Sequence, residues 1–289
     1  MEARISGTTR LYALIGSPIS HSGSPAMYNY SFAAKGIDSV YTAFDVDVEH
    51  TKDAIAAMRT FNMGGMNVTM PCKVETVKYM DELSDAARIM GAVNTIVNVD
   101  GKLVGHNTDG VGFVSNLKDN GVDIKGKKIT VAGGGGAATA IQIQCALDGV
   151  REISIFNKKD DFFQRTVDTA EKLKAEVEGL IVNVYDIGDI SKMTEEILDS
   201  DIFVNGTIVG MKPLDDLSVV KDLSAFHENL VVCDAVYNPV ETKLLREAKA
   251  AGCKTVSGKG MLLWQGVAAF KLYTGEDMPV EEVKERFFS

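Results

Sequence analysis

ITVAGGGGAATA, residues 129–140, joins a short β-branched strand to a helical pattern through four consecutive glycines. A glycine-rich turn between a strand and a helix lets the backbone approach a pyrophosphate, and the helix N-terminus adds unpaired N–H groups and a partial positive charge. A run that only packs a helix closely against a strand is the alternative. We favour a dinucleotide site, with the pyrophosphate bound by Gly133, Gly134, Gly135, Gly136 and Ala137.

Strands and helices alternate after the glycine run. Strands are expected at 153–156, 181–185, 202–204, 230–234 and 255–256, and helices at 139–147, 162–174, 193–198 and 242–251. This order is typical of a doubly wound parallel sheet. We therefore predict a Rossmann-type dinucleotide-binding domain over residues 110–259.

The first half of the chain also alternates, and it contains a predicted hairpin. Strands are expected at 11–15, 40–46, 65–69, 92–99 and 102–105. Helices are expected at 24–35 and 51–61, after Pro71 through Tyr79, at 81–89, and from the NTDG motif at 107–110 to about Asn120. Ser24 is the expected N-cap of the first helix, and Asp100-Gly101 is a good two-residue hairpin turn. These patterns predict an α/β domain over residues 1–109. The C-terminal helices in 260–289 are expected to complete this domain or to pack across the cleft between the two domains.

The composition is that of a globular protein with an acidic balance. Of 289 residues, 45% are hydrophobic and 24% are charged, and the formal net charge is −10. An acidic chain is not expected to take nucleic acid as a main partner, and no apolar run approaches the roughly 20 residues of a membrane span. With no signal peptide or disulfide framework indicated, we expect a cytoplasmic protein with free cysteines. No metal-ligand spacing is present, so no metal site is expected.

A charged turn follows the second strand of the predicted Rossmann domain, where such folds contact the adenine ribose. A carboxylate there accepts hydrogen bonds from the ribose and repels a 2′-phosphate, whereas a cation does the opposite. The turn offers both, in Asn157, Lys158, Lys159 and Asp160. A solvated charged turn is the alternative. We predict that NAD is favoured and that NADP is tolerated.

Several short motifs follow one another along the rest of the chain: GSPISHS at 16–22, NVTMPCK at 67–73, GAVNT at 91–95, NTDG at 107–110, NGT at 205–207, VYNP at 236–239 and GMLLWQ at 260–265. In this order and spacing the chain resembles the shikimate dehydrogenases, and most closely the quinate/shikimate dehydrogenase branch. The resemblance runs from the first strand to the end of the chain.

The resemblance implies reversible hydride transfer between a nicotinamide and a ring carbon, which converts shikimate to 3-dehydroshikimate and quinate to 3-dehydroquinate. A proton must leave the alcohol oxygen in the same reaction, so an acid/base group has to lie within hydrogen-bond reach. The resemblance assigns this work to Lys73, partnered by Asp109. An ordinary ion pair near a turn is the alternative for these two residues.

The remaining site residues follow from the resemblance together with side-chain chemistry. Ser22 and Ser24, at the start of a helix, are expected to bind the substrate carboxylate. Ring hydroxyl groups need partners that both donate and accept, as the side chains of Thr69, Asn94 and Gln265 do. Asn67 either joins them or only holds its turn, and Tyr237 either contacts the substrate or packs as a structural aromatic. The nicotinamide pocket is expected to be lined by Thr207, Val236, Asn238 and Gly258.

Two other functions fit part of the sequence. A two-domain dehydrogenase of the methylene-tetrahydrofolate type would explain the domain order, but not the set of polar residues suited to a polyol. A nicotinamide-nucleotide sensor without catalysis would not need both Lys73 and Asp109. A homodimer is expected from the resemblance alone.

Overall fold

Two six-stranded β-sheets organise the chain in a computed structural model, which describes residues 5–161 and 163–288. Each sheet belongs to its own unit. The first unit comprises Met1–Thr108 and Gln265–Ser289, and the second comprises Asp109–Trp264. The predicted helix 162–174 begins at Phe162, which lies outside the described residues.

The sheet of the first unit is mixed. Its strands are β1 (Arg10–Gly16), β2 (Ser39–Asp45), β3 (Gly65–Val68), β4 (Glu82–Leu83), β5 (Thr95–Val99) and β6 (Lys102–His106), in the order β2-β1-β3-β5-β6-β4. Strands β1, β2 and β3 are parallel, and β5 is antiparallel to both β3 and β6. Its helices are α1 (Ser24–Lys35), α2 (Thr51–Thr60), α3 (Lys73–Thr76) and α4 (Asp85–Met90).

The sheet of the second unit is parallel throughout. Its strands are β7 (Lys128–Ala132), β8 (Glu152–Asn157), β9 (Ile181–Asp186), β10 (Ile202–Asn205), β11 (Val231–Asp234) and β12 (Lys254–Val256), and its helices are α5 (Asp109–Asp119), α6 (Gly136–Leu147), α7 (Phe163–Glu176), α8 (Ile190–Leu198) and α9 (Lys243–Ala250). The order β12-β11-β10-β7-β8-β9 confirms the doubly wound sheet. Its strand order reverses between β7 and β10, and ligands of such sheets bind at that point.

Two helices end the chain. Helix α10 (Lys259–Thr274) begins in the second unit and ends in the first, and α11 (Val280–Phe287) follows it. The end of α10 packs on α1, where the Tyr28 hydroxyl donates to the Gly266 carbonyl at 3.1 Å. The Tyr28 ring stacks on Tyr41, with ring centroids 4.4 Å apart. These buried aromatic rings tie the C-terminal segment to the N-terminal sheet.

Three sequence-based predictions of local structure need correction. Ser24 is the first residue of α1 rather than its N-cap, which is Gly23 without a side-chain cap. The predicted helix 81–89 is instead β4 followed by α4, because Ser84 caps α4 and β4 pairs with β6. Helix α6 begins at Gly136, three residues before the predicted start, so the end of the glycine run is already helical.

The predicted hairpin is confirmed. Asp100 and Gly101 have φ values of 51° and 90°, as a type I′ turn requires, and Val99 pairs with Lys102.

A buried charge cluster fixes α8 to the sheet of the second unit. Lys128 Nζ lies 2.8 Å from a Glu196 carboxylate oxygen, and Lys192 Nζ lies 2.8 Å from the other. Ser154 donates a further hydrogen bond to Glu196. Burial opposes ionisation of Glu196, but the bonds from Lys128, Lys192 and Ser154 outweigh it and lower the pKa of Glu196 to about 2. The cluster begins at the first residue of β7, so it lies away from the C-terminal edge of the sheet.

Candidate active site

A buried polar network joins the strand ends of the first unit. The Tyr41 hydroxyl donates to Asn67 Oδ1 at 2.7 Å, and Asn67 Nδ2 donates to Thr95 Oγ1 at 3.0 Å. The Thr95 hydroxyl donates to Asn94 Oδ1 at 2.9 Å. The side chain of Asn67 is therefore bound within the protein, which supports the structural alternative for this residue.

Asn94 lies at the centre of the network and is 3% exposed. Its Oδ1 accepts from the Thr108 backbone N–H at 2.8 Å, and its Nδ2 donates to the Thr108 hydroxyl at 3.0 Å. Thr108 directly precedes Asp109. The residue before Asp109 is thus held by both ends of one buried amide, a support that the sequence did not reveal.

The backbone of Lys73 lies beside the segment that contains Asn94. It is the first residue of α3 and is partly buried. Its carbonyl accepts from the Val93 backbone N–H at 2.9 Å, and Val93 directly precedes Asn94. The backbone of Lys73 is therefore held beside the segment that also holds Thr108.

Asp109 begins α5 in the second unit and is partly buried. An added Cβ on the next residue, Gly110, would lie 2.3 Å from the carbonyl oxygen of Ala140. Because Ala140 lies in the second turn of α6, the start of α5 packs against the start of α6. Asp109 is therefore near the helix that the glycine run opens.

Thr69 follows β3 and is packed against the end of β1. Its backbone N–H donates to Ile15 at 2.8 Å. A Cβ on Gly16 would lie 2.3 Å from Thr69 Cγ2, so only glycine allows this approach. The Thr69 hydroxyl makes no hydrogen bond to any described residue.

The start of α1 carries the two predicted serines. Ser22 Oγ accepts from the Ser24 backbone N–H at 3.3 Å, so Ser22 partly replaces the missing side-chain cap. Ser24 is partly buried, and its hydroxyl makes no hydrogen bond to the described part of the chain. The arrangement leaves a hydroxyl at a helix N-terminus, where anions bind favourably.

The glycine run divides into two functional halves. Gly133 is buried with φ of 116°, and its added Cβ would lie 3.0 Å from the Gly206 carbonyl, so the fold itself requires glycine there. Gly135 and Gly136 are exposed, and no atom among the described residues lies within 4 Å of a Cβ added to either. Packing therefore explains Gly133, whereas the last two glycines are suited to approach by a ligand. Ala137 is also exposed, in the first turn of α6.

The turn after β8 shows a similar division. Asn157 Nδ2 donates to Thr166 Oγ1 at 2.9 Å, and a Cβ on Gly134 would lie 2.5 Å from that same nitrogen. Lys158, Lys159 and Asp160 are exposed beyond it. Asn157 therefore packs against the glycine run, and the three charged residues form the exposed surface of the turn.

The loops after β10 and β11 are joined by a network that the sequence analysis missed. Asp234, the last residue of β11, is 2% exposed and accepts hydrogen bonds from Asn205 Nδ2 (3.0 Å), the Val236 N–H (2.9 Å) and the Thr242 hydroxyl (2.6 Å). Burial raises the pKa of Asp234 to about 6, against the opposing effect of these three bonds. The sequence signal that could have indicated this network is a polar residue at the end of each apolar strand, Asn205 after Val204 and Asp234 after Cys233.

The other predicted residues have different surroundings. Tyr237, in the loop after β11, is 51% exposed. Asn238 is exposed and Gln265 is partly buried in α10. Gly258 packs under β11, since its added Cβ would lie 2.5 Å from the Ala235 carbonyl oxygen. The fold alone therefore explains glycine at 258.

Other kinds of site are not seen in residues 5–161 and 163–288. The cysteines at 72, 145, 233 and 253 are free and buried, which confirms the prediction of free thiols. No group of three histidine, cysteine, aspartate or glutamate side chains is placed to hold a metal ion. Within the same residues, no helix has the length and apolar character needed to cross a membrane.

A doubly wound parallel sheet with a glycine run at its switch point defines a dinucleotide-binding protein of the Rossmann class. Comparison with known families narrows this class. Residues 14–96 match the family model of the shikimate dehydrogenase substrate binding domain, and residues 258–286 match that of the shikimate 5′-dehydrogenase C-terminal domain. The chain belongs to the shikimate dehydrogenase family, and it is an oxidoreductase.

Individual relatives cover almost the whole chain. Shikimate dehydrogenase (NADP(+)) of Listeria monocytogenes is 48% identical over 285 residues, which is 99% of this chain and 98% of the relative. Quinate/shikimate dehydrogenase of an Escherichia coli strain is 46% identical over 280 residues, covering 96% and 97%. The crystal structure of shikimate 5-dehydrogenase from Listeria monocytogenes with shikimate and NAD aligns with a TM-score of 0.95 at 48% identity, covering 99% and 98%.

These relatives decide against the two alternative functions, because they are dehydrogenases named for shikimate or quinate. They do not show which of the two cofactors, NAD or NADP, is preferred. One relative is named for NADP(+), and a solved structure holds NAD.

Proposed function

We propose that the protein catalyses the reversible NAD(P)-dependent oxidation of shikimate to 3-dehydroshikimate, and of quinate to 3-dehydroquinate. The first unit binds the cyclic carboxylate, and the second binds the dinucleotide. The observation that carries this proposal is the position of Asn94. This one buried amide fixes Thr108, next to Asp109, while its neighbour Val93 holds the backbone of Lys73.

Lys73 and Asp109 form the acid/base pair in this proposal. When the hydride leaves the ring carbon, Lys73 takes the proton from the alcohol oxygen, and in the reverse direction the protonated amine donates it to the ketone. The Asp109 carboxylate orients the Lys73 amine. The start of α5 against α6 supports this assignment, because it keeps Asp109 close to the helix that binds the cofactor.

The substrate is held by hydroxyl and amide groups of the first unit. The hydroxyl groups of Thr69 and Ser24 make no hydrogen bond to a described residue, and Ser22 lies next to Ser24 before the same helix. Ser22 and Ser24 bind the carboxylate, and Thr69, Asn94 and Gln265 bind ring hydroxyl groups. Tyr237 contributes its exposed phenol to the substrate. Asn67 acts indirectly, by holding the strand ends.

NAD and NADP both serve as the cofactor, and NAD is the better one. Gly135, Gly136 and Ala137 would hold the pyrophosphate, because all three are exposed and no atom among the described residues lies within 4 Å of a Cβ added to either glycine. Asp160 accepts from the adenine ribose and repels a 2′-phosphate, while Lys158 and Lys159 keep NADP acceptable. Thr207, Val236, Asn238 and Gly258 form the nicotinamide pocket. When bound, the nicotinamide supplies the hydride acceptor.

The direct test is a kinetic matrix of shikimate and quinate against NAD and NADP, followed through the absorbance of the reduced nicotinamide. We expect turnover of shikimate with both cofactors, and a higher kcat/KM with NAD. An absolute requirement for NADP would contradict the assignment of Asp160. No turnover in any of the four combinations would contradict the proposed function.

A further inference from the structure

The carboxylate of Asp234 is placed to control two loops at once. It lies at the C-terminal end of β11, adjacent to β10 at the switch point of the sheet, and is 2% exposed. Its Oδ1 accepts from both Asn205 Nδ2 and the Val236 N–H, and its Oδ2 accepts from the Thr242 hydroxyl. One buried group thus binds the last residue of β10, the loop after β11 and the start of α9.

The bond to Asn205 contributes to the position of Thr207. Asn205 Nδ2 donates to Asp234 Oδ1 at 3.0 Å and to the Val209 carbonyl at 2.9 Å, so the amide oxygen of Asn205 faces the other way. That oxygen accepts from the Thr207 N–H at 3.0 Å and from the Thr207 hydroxyl at 2.7 Å. Thr207 Oγ1 in turn accepts from the Val209 N–H at 3.1 Å. The hydrogen bonds that Asn205 makes to Asp234, Val209 and Thr207 therefore fix the conformation of the turn after β10.

This turn packs against the glycine run. A Cβ on Gly133 would lie 3.0 Å from the Gly206 carbonyl and 3.2 Å from Thr207 Cγ2, and a Cβ on Gly206 would lie 2.6 Å from that of Ala138. The contacts leave little room for Thr207 to shift without moving the start of α6. A change at Asp234 therefore reaches the residues assigned to both the nicotinamide and the pyrophosphate.

We propose that Asp234 is a positioning residue for hydride transfer. It holds Val236 directly and Thr207 through Asn205, and so shapes the pocket that would hold the nicotinamide. This inference rests on the proposed function, because Thr207 and Val236 are assigned there to the nicotinamide pocket. Asp234 itself does not contact the reacting atoms.

The chemistry of the network provides a conservative variant. In Asp234→Asn, the amide oxygen still accepts from Asn205 and Val236, and the amide nitrogen can donate to Thr242 Oγ1, whose hydroxyl rotates. In Asp234→Ala, all three bonds are lost. Positioning therefore requires an acceptor at this point rather than a negative charge.

The experiment measures kcat/KM for NAD and NADP, KM for shikimate, and the binding of NADH by fluorescence, for Asp234→Ala, Asp234→Asn and the wild type. A small misplacement of a reacting group can cost on the order of 100-fold. We expect Asp234→Ala to lower kcat/KM for the cofactor by about 10–100-fold, to weaken NADH binding, and to leave KM for shikimate unchanged. Asp234→Asn should restore most of the loss.

Glu196→Ala is the matched control, because it removes another buried carboxylate of the same unit from a hydrogen-bonded cluster away from the loops. It should lower stability without changing kcat/KM for the cofactor. The inference is wrong if folded Asp234→Ala keeps the wild-type kcat/KM, if Asp234→Asn is as impaired as Asp234→Ala, or if Glu196→Ala shows the same kinetic loss. If Asp234→Ala does not fold, Asn205→Ala replaces it, since it removes the link from Asp234 to Thr207 and the bond to the Val209 carbonyl, but keeps the bonds of Asp234 to Val236 and Thr242.

The same experiment separates this inference from the proposed function. A wild type that turns over neither shikimate nor quinate would contradict the function. NADH binding would then still decide whether Asp234 controls the cofactor site, because that readout requires no turnover.

Discussion

Gly135→Ala separates the ligand contact of the glycine run from its packing. The substitution adds one methyl group at the N-cap of α6, where φ is −78° and ψ is 179°. Any residue adopts these angles, and no described residue other than the chain neighbours comes within 4 Å of the added Cβ. No steric contact within the described residues therefore excludes alanine at this position, although alanine is a poorer N-cap than glycine.

Gly135→Ala should leave stability nearly unchanged and impair cofactor use. Alanine in a compatible conformation stabilises a fold by about 0.4–1 kcal/mol, chiefly because it restricts the unfolded chain, but at an N-cap alanine is less favourable than glycine by about the same amount. A methyl group between a backbone and the ligand it binds costs about 1–3 kcal/mol, or roughly 10–200-fold. Gly135→Ala should therefore unfold at nearly the wild-type urea concentration, yet show a kcat/KM for NAD lower by about 10-fold or more.

Urea unfolding and initial-rate kinetics measure the two effects on the same preparation. Gly7→Ala is the matched control, because Gly7 also has open surroundings and no positive φ, but lies outside the site. It should also unfold at or slightly above the wild-type urea concentration, but without the kinetic loss. Wild-type kinetics for Gly135→Ala would refute the placement of the pyrophosphate, and a loss of stability of more than about 2 kcal/mol would refute the steric argument.

The remaining predictions concern other parts of the molecule. Gly133→Ala should destabilise the fold by about 1–3 kcal/mol, because a side chain there must adopt a positive φ; an unchanged urea midpoint would contradict this. Asp109→Asn should lower kcat by about 10²–10⁴-fold with KM for NAD unchanged, and near-normal turnover would exclude the acid/base pair. Glu196 has a pKa depressed from 4.5 to about 2, so its stabilisation, about 3 kcal/mol, is complete above pH 4.5 and is lost as the pH falls towards 2. Glu196→Gln should accordingly be less stable at pH 7, and should approach the wild type in acid; an equal difference at both pH values, by urea unfolding, would contradict the linkage.

Local sequence patterns were sufficient to predict most strands and helices of both units. The apolar strands after Gly133 and the helices between them predicted the doubly wound sheet, because periodicity and turn chemistry are encoded within a few residues. Asp100-Gly101 predicted the hairpin for the same reason. The errors occurred where tertiary pairing decides the structure. Strand β4 has only two residues and exists because Glu82 and Leu83 pair with β6.

The supporting residues of the site were harder to predict than the residues assigned to ligands. Asn205 and Asp234 end two separate strands, and nothing in the local sequence shows that these strands are neighbours. Their hydrogen bond follows from the order of β10 and β11 in the sheet. Thr108 and Asn94 likewise meet only after β3, β5 and β6 have paired. A sequence motif can therefore suggest which residues contact a ligand, whereas the strand order reveals which residues hold them.

The central claim is hydride transfer between the substrate carbinol carbon and the nicotinamide. The most direct test uses shikimate with deuterium on the carbon that becomes the ketone, followed by mass spectrometry of the reduced cofactor. We expect the deuterium to appear in the nicotinamide ring of NADH and of NADPH. Turnover that leaves the reduced cofactor without deuterium, or no turnover with either cofactor, would contradict it.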